Sequence, residues 1–198
     1  MAKDGRNCGI CLLLTGLLLF VILLPLSFGY IDYYEFGISK RKSTGTIFYD
    51  KVYTRGRYHL GPDKTFITYQ ADAHSESFEE LAVFSAGGGN ESIGLAFEVD
   101  VDFTYFLIED EIIDLHRELA RGYKDVVVSR AKDAIKNAAI SVTFNEYFQE
   151  RRLVERKFRD AVRNRWNEKP SLHCTLDQFH LGRIRIPENV AQKQLEGR

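Results

Sequence analysis

The 198-residue chain carries 27 Lys and Arg against 28 Asp and Glu, and this near-neutral balance excludes a global electrostatic case for nucleic acid. Its three cysteines are too few for a disulfide framework. No repeat, low-complexity tract or long linker interrupts it.

The first element is an apolar block. From Gly9 to Gly29 no residue is charged, while Lys3 and Arg6 precede the block and Asp32 and Glu35 follow it. Roughly 20 apolar residues at about 1.5 Å each match the thickness of bilayer hydrocarbon, so the block reads as one transmembrane helix. Tyr30, Tyr33 and Tyr34, with Phe36, then stand as an aromatic belt at the exit interface. Lys3 and Arg6 place the N-terminus in the cytoplasm and the rest of the chain on the opposite side. Two alternatives stay open: a cleaved signal peptide leaving through Ser27-Phe28-Gly29, and a re-entrant hairpin turning at Pro25. Cys8 and Cys11 sit at the cytoplasmic edge, as acylation candidates or as packing residues.

About 165 residues remain, enough for one well-cored domain or two small packed ones. Tyr33 to Lys40 reads as a strand, Lys42-Ser43-Thr44-Gly45 as a turn, and Ile47 to Val52 as a second strand. Gly56, Gly61 and Pro62 punctuate a loop around Tyr58 and Leu60. Thr65 to Gln70 and the stretch Phe78, Leu81, Val83 and Phe84 read as extended, and Gly87-Gly88-Gly89-Asn90 as a turn. Leu95, Phe97, Val99, Val101, Phe103 and Tyr105 alternate with small and polar residues, the period-two pattern of an antiparallel sheet with one wet face.

The period then changes. Ile112, Ile113, Leu115 and Leu119 predict a short helix ending near Gly122, and Val126, Val127, Arg130, Ala131, Ala134, Ile135 and Ala138 predict a second. Thr143-Phe144-Asn145-Glu146 fits a capping box opening a third helix to about Asn167, with Phe148, Val154, Phe158, Ala161 and Val162 inward. Lys169-Pro170 stops it. Leu176 to Ile186 is a strand pair or one bent strand, and Asn189 to Arg198 begins a further helix. The fold class expected is α+β: a mostly antiparallel sheet packed with helices, preceded by one N-terminal transmembrane helix.

This order resembles the stomatin–prohibitin–flotillin, or band 7, family. Gly45 followed by Gly56-Arg57-Tyr58-His59-Leu60-Gly61-Pro62 is similar to the family's early glycine and later glycine–proline loop. Ile93-Gly94-Leu95-Ala96-Phe97-Glu98-Val99-Asp100-Val101 resembles its central long strand. The segments with Ser129-Arg130-Ala131 and Thr143-Phe144-Asn145-Glu146-Tyr147 resemble its two packed helices. Phe179-His180-Leu181-Gly182-Arg183-Ile184-Arg185-Ile186-Pro187 resembles the strand and proline leading into its coiled-coil stalk. The chain stops soon after Pro187, which reads as a fragment or as a member lacking the stalk. The resemblance implies an anchor at 1–29, a β-rich first subdomain at 30–107, an α/β second subdomain at 108–187 and a truncated helix at 188–198. It further implies a non-enzymatic scaffold that assembles as rings or cages on a membrane, with the bilayer, itself or related subunits, and a membrane protease or channel as partners, and no cofactor.

The residues give no independent catalytic set. His59, His74, His116, His173 and His180 show no helical zinc spacing, and the triple glycine lacks a following Gly-Lys-Ser/Thr. Cys174, alone in the domain, reads as a small buried hydrophobe rather than as half of a thiol–histidine pair. Asp100 and Asp102 share one strand face, as a cation site or as a solvated face. Lys40, Arg41, Lys42, Lys51, Arg55 and Arg57 lie close after the anchor, as headgroup ligands or strand-edge charges. Asn90-Glu91-Ser92 is a glycosylation sequon. Seven basic residues crowd Arg151 to Arg165 against Glu155 and Asp160. That surplus is read as a solvated face with i, i+4 ion pairs or as a lateral subunit contact through Arg152, Arg156 and Arg163, facing acidic residues such as Glu109, Asp110 and Glu111 of a neighbour. Against the scaffold stand two rivals, a secreted or lumenal enzyme or binding protein and a monomeric single-pass adaptor.

Overall fold

The computed structural model describes residues 2–87 and 94–186, with side chains from residue 13 on. Asn90, Pro187 and the helix expected from Asn189 lie outside the described residues, as do the side chains of Cys8 and Cys11. The chain divides into two units, Met1–Ala71 and Asp72–Arg198.

In the first unit, helix α1 runs Ala2–Leu26 without a break at Pro25. Pro25 has no N–H for the Val21 carbonyl, so α1 gives up one i→i−4 bond just before it ends at Leu26. Its described apolar part, residues 13–26, is about 20 Å long and shorter than a bilayer core. Among the described residues no helix is long and apolar enough to cross a membrane. Strand β1 (Phe28–Ile31) follows and pairs antiparallel with β4 (Gly56–His59). Residues 28–31, most of the return limb in the hairpin alternative, form a strand of this small sheet. Strands β2 (Glu35–Arg41), β3 (Ile47–Tyr53) and β5 (Lys64–Gln70) form a second sheet in the order β3-β2-β5, both pairings antiparallel. Ile31 and Ile38 are fully buried. Gly37 makes room for this: a Cβ there would lie 2.4 Å from Ile31 Cδ1. The expected loop around Tyr58 is instead β4, framed by Gly56 and Gly61 at positive φ.

In the second unit, β6 (His74–Phe84), β7 (Ala96–Leu107) and β8 (Cys174–Arg185) form one antiparallel sheet in sequence order. Phe97, Val99, Val101, Phe103, Tyr105 and Leu107 of β7 are all buried, as the alternation requires. This unit begins at Asp72, ahead of the break expected near Leu107, because β7 is the middle strand joining β6 to β8. Helices α2 (Ile112–Leu119), α3 (Tyr123–Ala139), α4 (Phe144–Gln149) and α5 (Arg151–Asn167) lie between β7 and β8 in sequence. The core face of α3 carries Val127, Ala131, Ala134 and Ile135, and that of α5 carries Val154, Phe158, Val162 and Trp166. The single third helix expected from Thr143 is two. Glu150, at φ −123° and ψ 40°, breaks it, so Phe148 turns outward and is exposed while Tyr147 is buried. The final segment is one strand with two register shifts, which is the bent strand rather than the strand pair. The fold is α+β, with antiparallel sheets packed with helices.

The capping box forms as read. The Glu146 carboxylate accepts from the Thr143 N–H at 2.7 Å and from its hydroxyl at 2.9 Å. These bonds, the backbone one first, hold the Glu146 carboxyl below its ordinary range. Thr143→Ala is expected to cost about 1 kcal/mol of stability, read as a lower urea midpoint at unchanged slope.

Candidate membrane and subunit interfaces

The strands of the first unit all pair antiparallel, in the two sheets β1-β4 and β3-β2-β5, and their turns fall at two ends. At one end α1 gives way to Ser27, whose carbonyl accepts the N–H groups of Leu60 (2.9 Å) and Gly61 (3.0 Å). The Ser27 hydroxyl lies 2.8 Å from Nε2 of His59, and the His59 ring meets Phe28 edge-on. The β2–β3 turn reaches the same loop: the Lys42 N–H donates to the Asp63 carbonyl at 2.7 Å. Ser43 donates to the Asp63 carboxylate from its N–H (3.0 Å) and its hydroxyl (2.6 Å). The hydroxyl bond first, with Arg41 and Lys42 nearby, holds Asp63 below the usual carboxylate range. Arg41 and Lys64 both lie over the ring of Phe48, at 5.6 and 4.6 Å from its centroid.

At the other end sit Tyr33 and Tyr34, edge to face at 4.9 Å, with the Arg55 guanidinium 4.4 Å over Tyr33. Tyr30 lies between, exposed and opposite Arg57. The structure therefore brings Lys40, Arg41 and Lys42 to the end of α1. It carries Tyr33 and Tyr34 to the far end of β1, about 13 Å away for four extended residues. In sequence all six follow the anchor closely, whereas Lys64, Phe48 and His59 reach its end only through the β2–β5 register, the β2–β3 pairing and the β1–β4 pairing.

In the second unit the basic run lies on α5 and sorts by partner. Arg151 donates to the carbonyls of Leu181 and Gly182 on β8, and Glu155 accepts the Leu181 N–H at 3.3 Å. Together they cover backbone groups on the edge of β8. Lys157 lies 3.7 Å from Glu146, Arg159 3.7 Å from Asp160, and Arg165 pairs with Glu168. Arg152, Arg156 and Arg163 are exposed and, among the described residues, make no ion pair. Their spacing of four and seven puts them on one helix face. Of the acidic residues proposed to meet them, Glu111 lies 2.8 Å from Nδ1 of His173, while Glu109 and Asp110 are exposed.

The remaining candidates are occupied by the fold. Asp100 accepts the N–H of Glu80 (3.0 Å), a residue at positive φ in the β6 bulge, and pairs with Arg185 (3.2 Å). His74 stacks on Tyr105, and His173 lies between Glu111 and Glu118. Among the described residues no three His, Cys, Asp or Glu side chains form a group able to hold a metal ion.

Cys174 is buried, and burial pushes its thiol from about 9 up to about 12. In a Cys8→Ser, Cys11→Ser background the folded thiol is expected to react with iodoacetamide at pH 8 at least a hundredfold more slowly than the denatured thiol. The sign for stability follows: the unfolded thiol ionises above pH 9 and the folded one does not. Stability then falls by about 1.4 kcal/mol per pH unit from pH 9 to about pH 12, which alkaline unfolding curves check. The phenol of Tyr123, pushed up to about 12 by burial, adds to the same loss above pH 10.

No curated protein matches this chain. The model of the SPFH domain / Band 7 family matches residues 36–196, which takes in strands β2 to β8 and helices α2 to α5, and the chain belongs to that family.

Proposed function

We propose that this protein is a membrane-anchored scaffold without catalysis of its own, which self-assembles laterally and organises a membrane patch or regulates a membrane protease or channel. Family membership over residues 36–196 carries the reading, since SPFH proteins are generally non-enzymatic, associate with membranes and oligomerise. Helix α1 is its transmembrane anchor. Support comes from the uncharged stretch Gly9–Gly29, from the continuity of α1 over Ala2–Leu26, and from the exposure of every apolar side chain from Leu13 to Leu24. Lys3 and Arg6 favour a cytoplasmic N-terminus with residues 30–198 on the opposite side. The exposed Arg face of α5, which makes no ion pair among the described residues, favours the second unit as the lateral contact.

The test uses the full chain in its native membrane. It is expected to stay in the pellet after alkaline carbonate, to begin ahead of Gly9, and to run in mild detergent as an assembly of many subunits. Release by carbonate with a mature N-terminus after Gly29 would establish the cleaved, secreted alternative instead. Retention as a monomer at micromolar concentration would leave a single-pass adaptor. Protease added from the cytoplasmic side of sealed vesicles is expected to spare residues 30–198; their digestion would reverse the orientation.

A further inference from the structure

The geometry points to an anionic-lipid binding face on the first unit, formed by the α1 end of its strands and made of Arg41, Lys42 and Lys64 around Phe48, with Lys40 beside them. The inference rests on α1 as the membrane anchor and adds the lipid class that the anchored unit selects. Three observations carry it. First, the Ser27 bonds to Leu60 and Gly61, and the Lys42 bond to Asp63, fix the basic turn next to the residue at which α1 ends. Second, charge is polarised along these strands. The α1 end holds Lys40, Arg41, Lys42 and Lys64 against Asp63, whereas the far end holds Arg55 against Asp32 and Glu35. Third, the cations are arranged rather than scattered. Phe48 lies under both Arg41 and Lys64, and the Asp63 carboxylate is held by two hydrogen bonds from Ser43 and by Arg41 at 3.7 Å, so Lys42 and Lys64 are left without an ion pair among the described residues. That arrangement leaves a donor-rich surface beside an aromatic ring, which suits a phosphate-bearing headgroup at the interface.

Magnitudes separate the two ends. A basic residue near an anionic leaflet contributes about a fivefold factor in binding, and the attraction fades within a Debye length of about 8 Å. Strands leading away from Ser27 put Arg55 about 13 Å further along. The α1 end therefore feels the leaflet and the Tyr33–Arg55 end does not.

The experiment places the full chain in nanodiscs of phosphatidylcholine containing increasing fractions of phosphatidylglycerol and follows backbone hydrogen exchange. Exchange at residues 40–48 and 60–66 is expected to slow as phosphatidylglycerol rises, with residues 31–35 and 53–56 unchanged. The phosphatidylglycerol fraction giving half the protection should rise about fivefold for Lys42→Gln and again for Lys64→Gln, and stay put for Arg55→Gln. Neutral discs with inorganic phosphate at matched ionic strength should show no protection; protection there would make free phosphate the ligand and overturn the lipid assignment. Equal exchange in neutral and anionic discs, or equal protection at both ends, would overturn it as well. Carbonate extraction of the same preparations keeps the two ideas apart. Retention without lipid selectivity sinks this proposal alone, whereas release from both disc lipids reformed as vesicles sinks the anchor and this face with it.

Discussion

Trp166→Ala is expected to destabilise the second unit by about 3–5 kcal/mol, the range for removing a large buried aromatic. Trp166 is 1% exposed and meets two rings of the central strand edge-on, Phe103 at 5.9 Å and Tyr105 at 5.7 Å. It ends the inward stripe Phe158, Val162, Trp166 on α5, so its loss opens a cavity where helix and sheet are already close-packed. Because it is the one tryptophan of the chain, unfolding must be followed by circular dichroism rather than indole fluorescence. A contrast sharpens the reading. The Trp166 Nε1–H is buried and has no hydrogen-bond partner among the described residues, so Trp166→Phe gives up ring volume but no hydrogen bond. It is expected to cost about 1–2 kcal/mol. If Trp166→Ala shifts the urea midpoint no more than Trp166→Phe does, the ring is not packed as described.

How much of this was legible in the sequence depends on the range of the interaction involved. β7 announces itself because each of its alternate residues faces the core, and that pattern needs no partner to be read. The α4 cap is legible for the same reason: Thr143 and Glu146 satisfy each other within one turn. β1 and β4 were hidden. β1 follows directly on an apolar block and reads as its tail, while β4 has four residues between glycines and pairs with a segment far back in the chain. The break at Glu150 was hidden too, since Phe144 to Asn167 keeps a helical composition throughout, and only the burial of Tyr147 with the exposure of Phe148 betrays the change of phase. The same limit split the interface residues. Arg152, Arg156 and Arg163 share one helix, so spacing alone put them on one face. Arg41 and Lys64 are neighbours only through strand register, and Tyr33 and Lys40 look adjacent in sequence while lying at opposite ends of β2.

Reversing Arg152, Arg156 and Arg163 to Glu is expected to dissociate the assembly while sparing the fold. Exposed charges contribute little to folding, and these three hold no ion pair among the described residues. Their neighbours on α5 are different. Arg151 and Glu155 secure β8, so Arg151→Glu would place a carboxylate against two carbonyls and damage the unit itself, whatever it did to assembly. The triple reversal therefore tests the contact and Arg151→Glu serves as the folding-defective comparison. Where the three arginines meet carboxylates across a subunit boundary, reversal sets like charges together, at a cost of several kcal/mol. That corresponds to at least a hundredfold weaker association. The repulsion is screened by ions, so the defect should be deepest at low salt and partly relieved near 0.5 M. Glu109→Lys with Asp110→Lys in the same chain should restore assembly if those exposed acids are the complementary surface. Native size in detergent at fixed protein concentration, with circular dichroism on the same samples, reads both quantities. A triple variant that assembles like the parent at low salt removes α5 from the interface; one that falls apart, stays folded and is rescued by the Glu109 and Asp110 reversals assigns both sides of the contact at once.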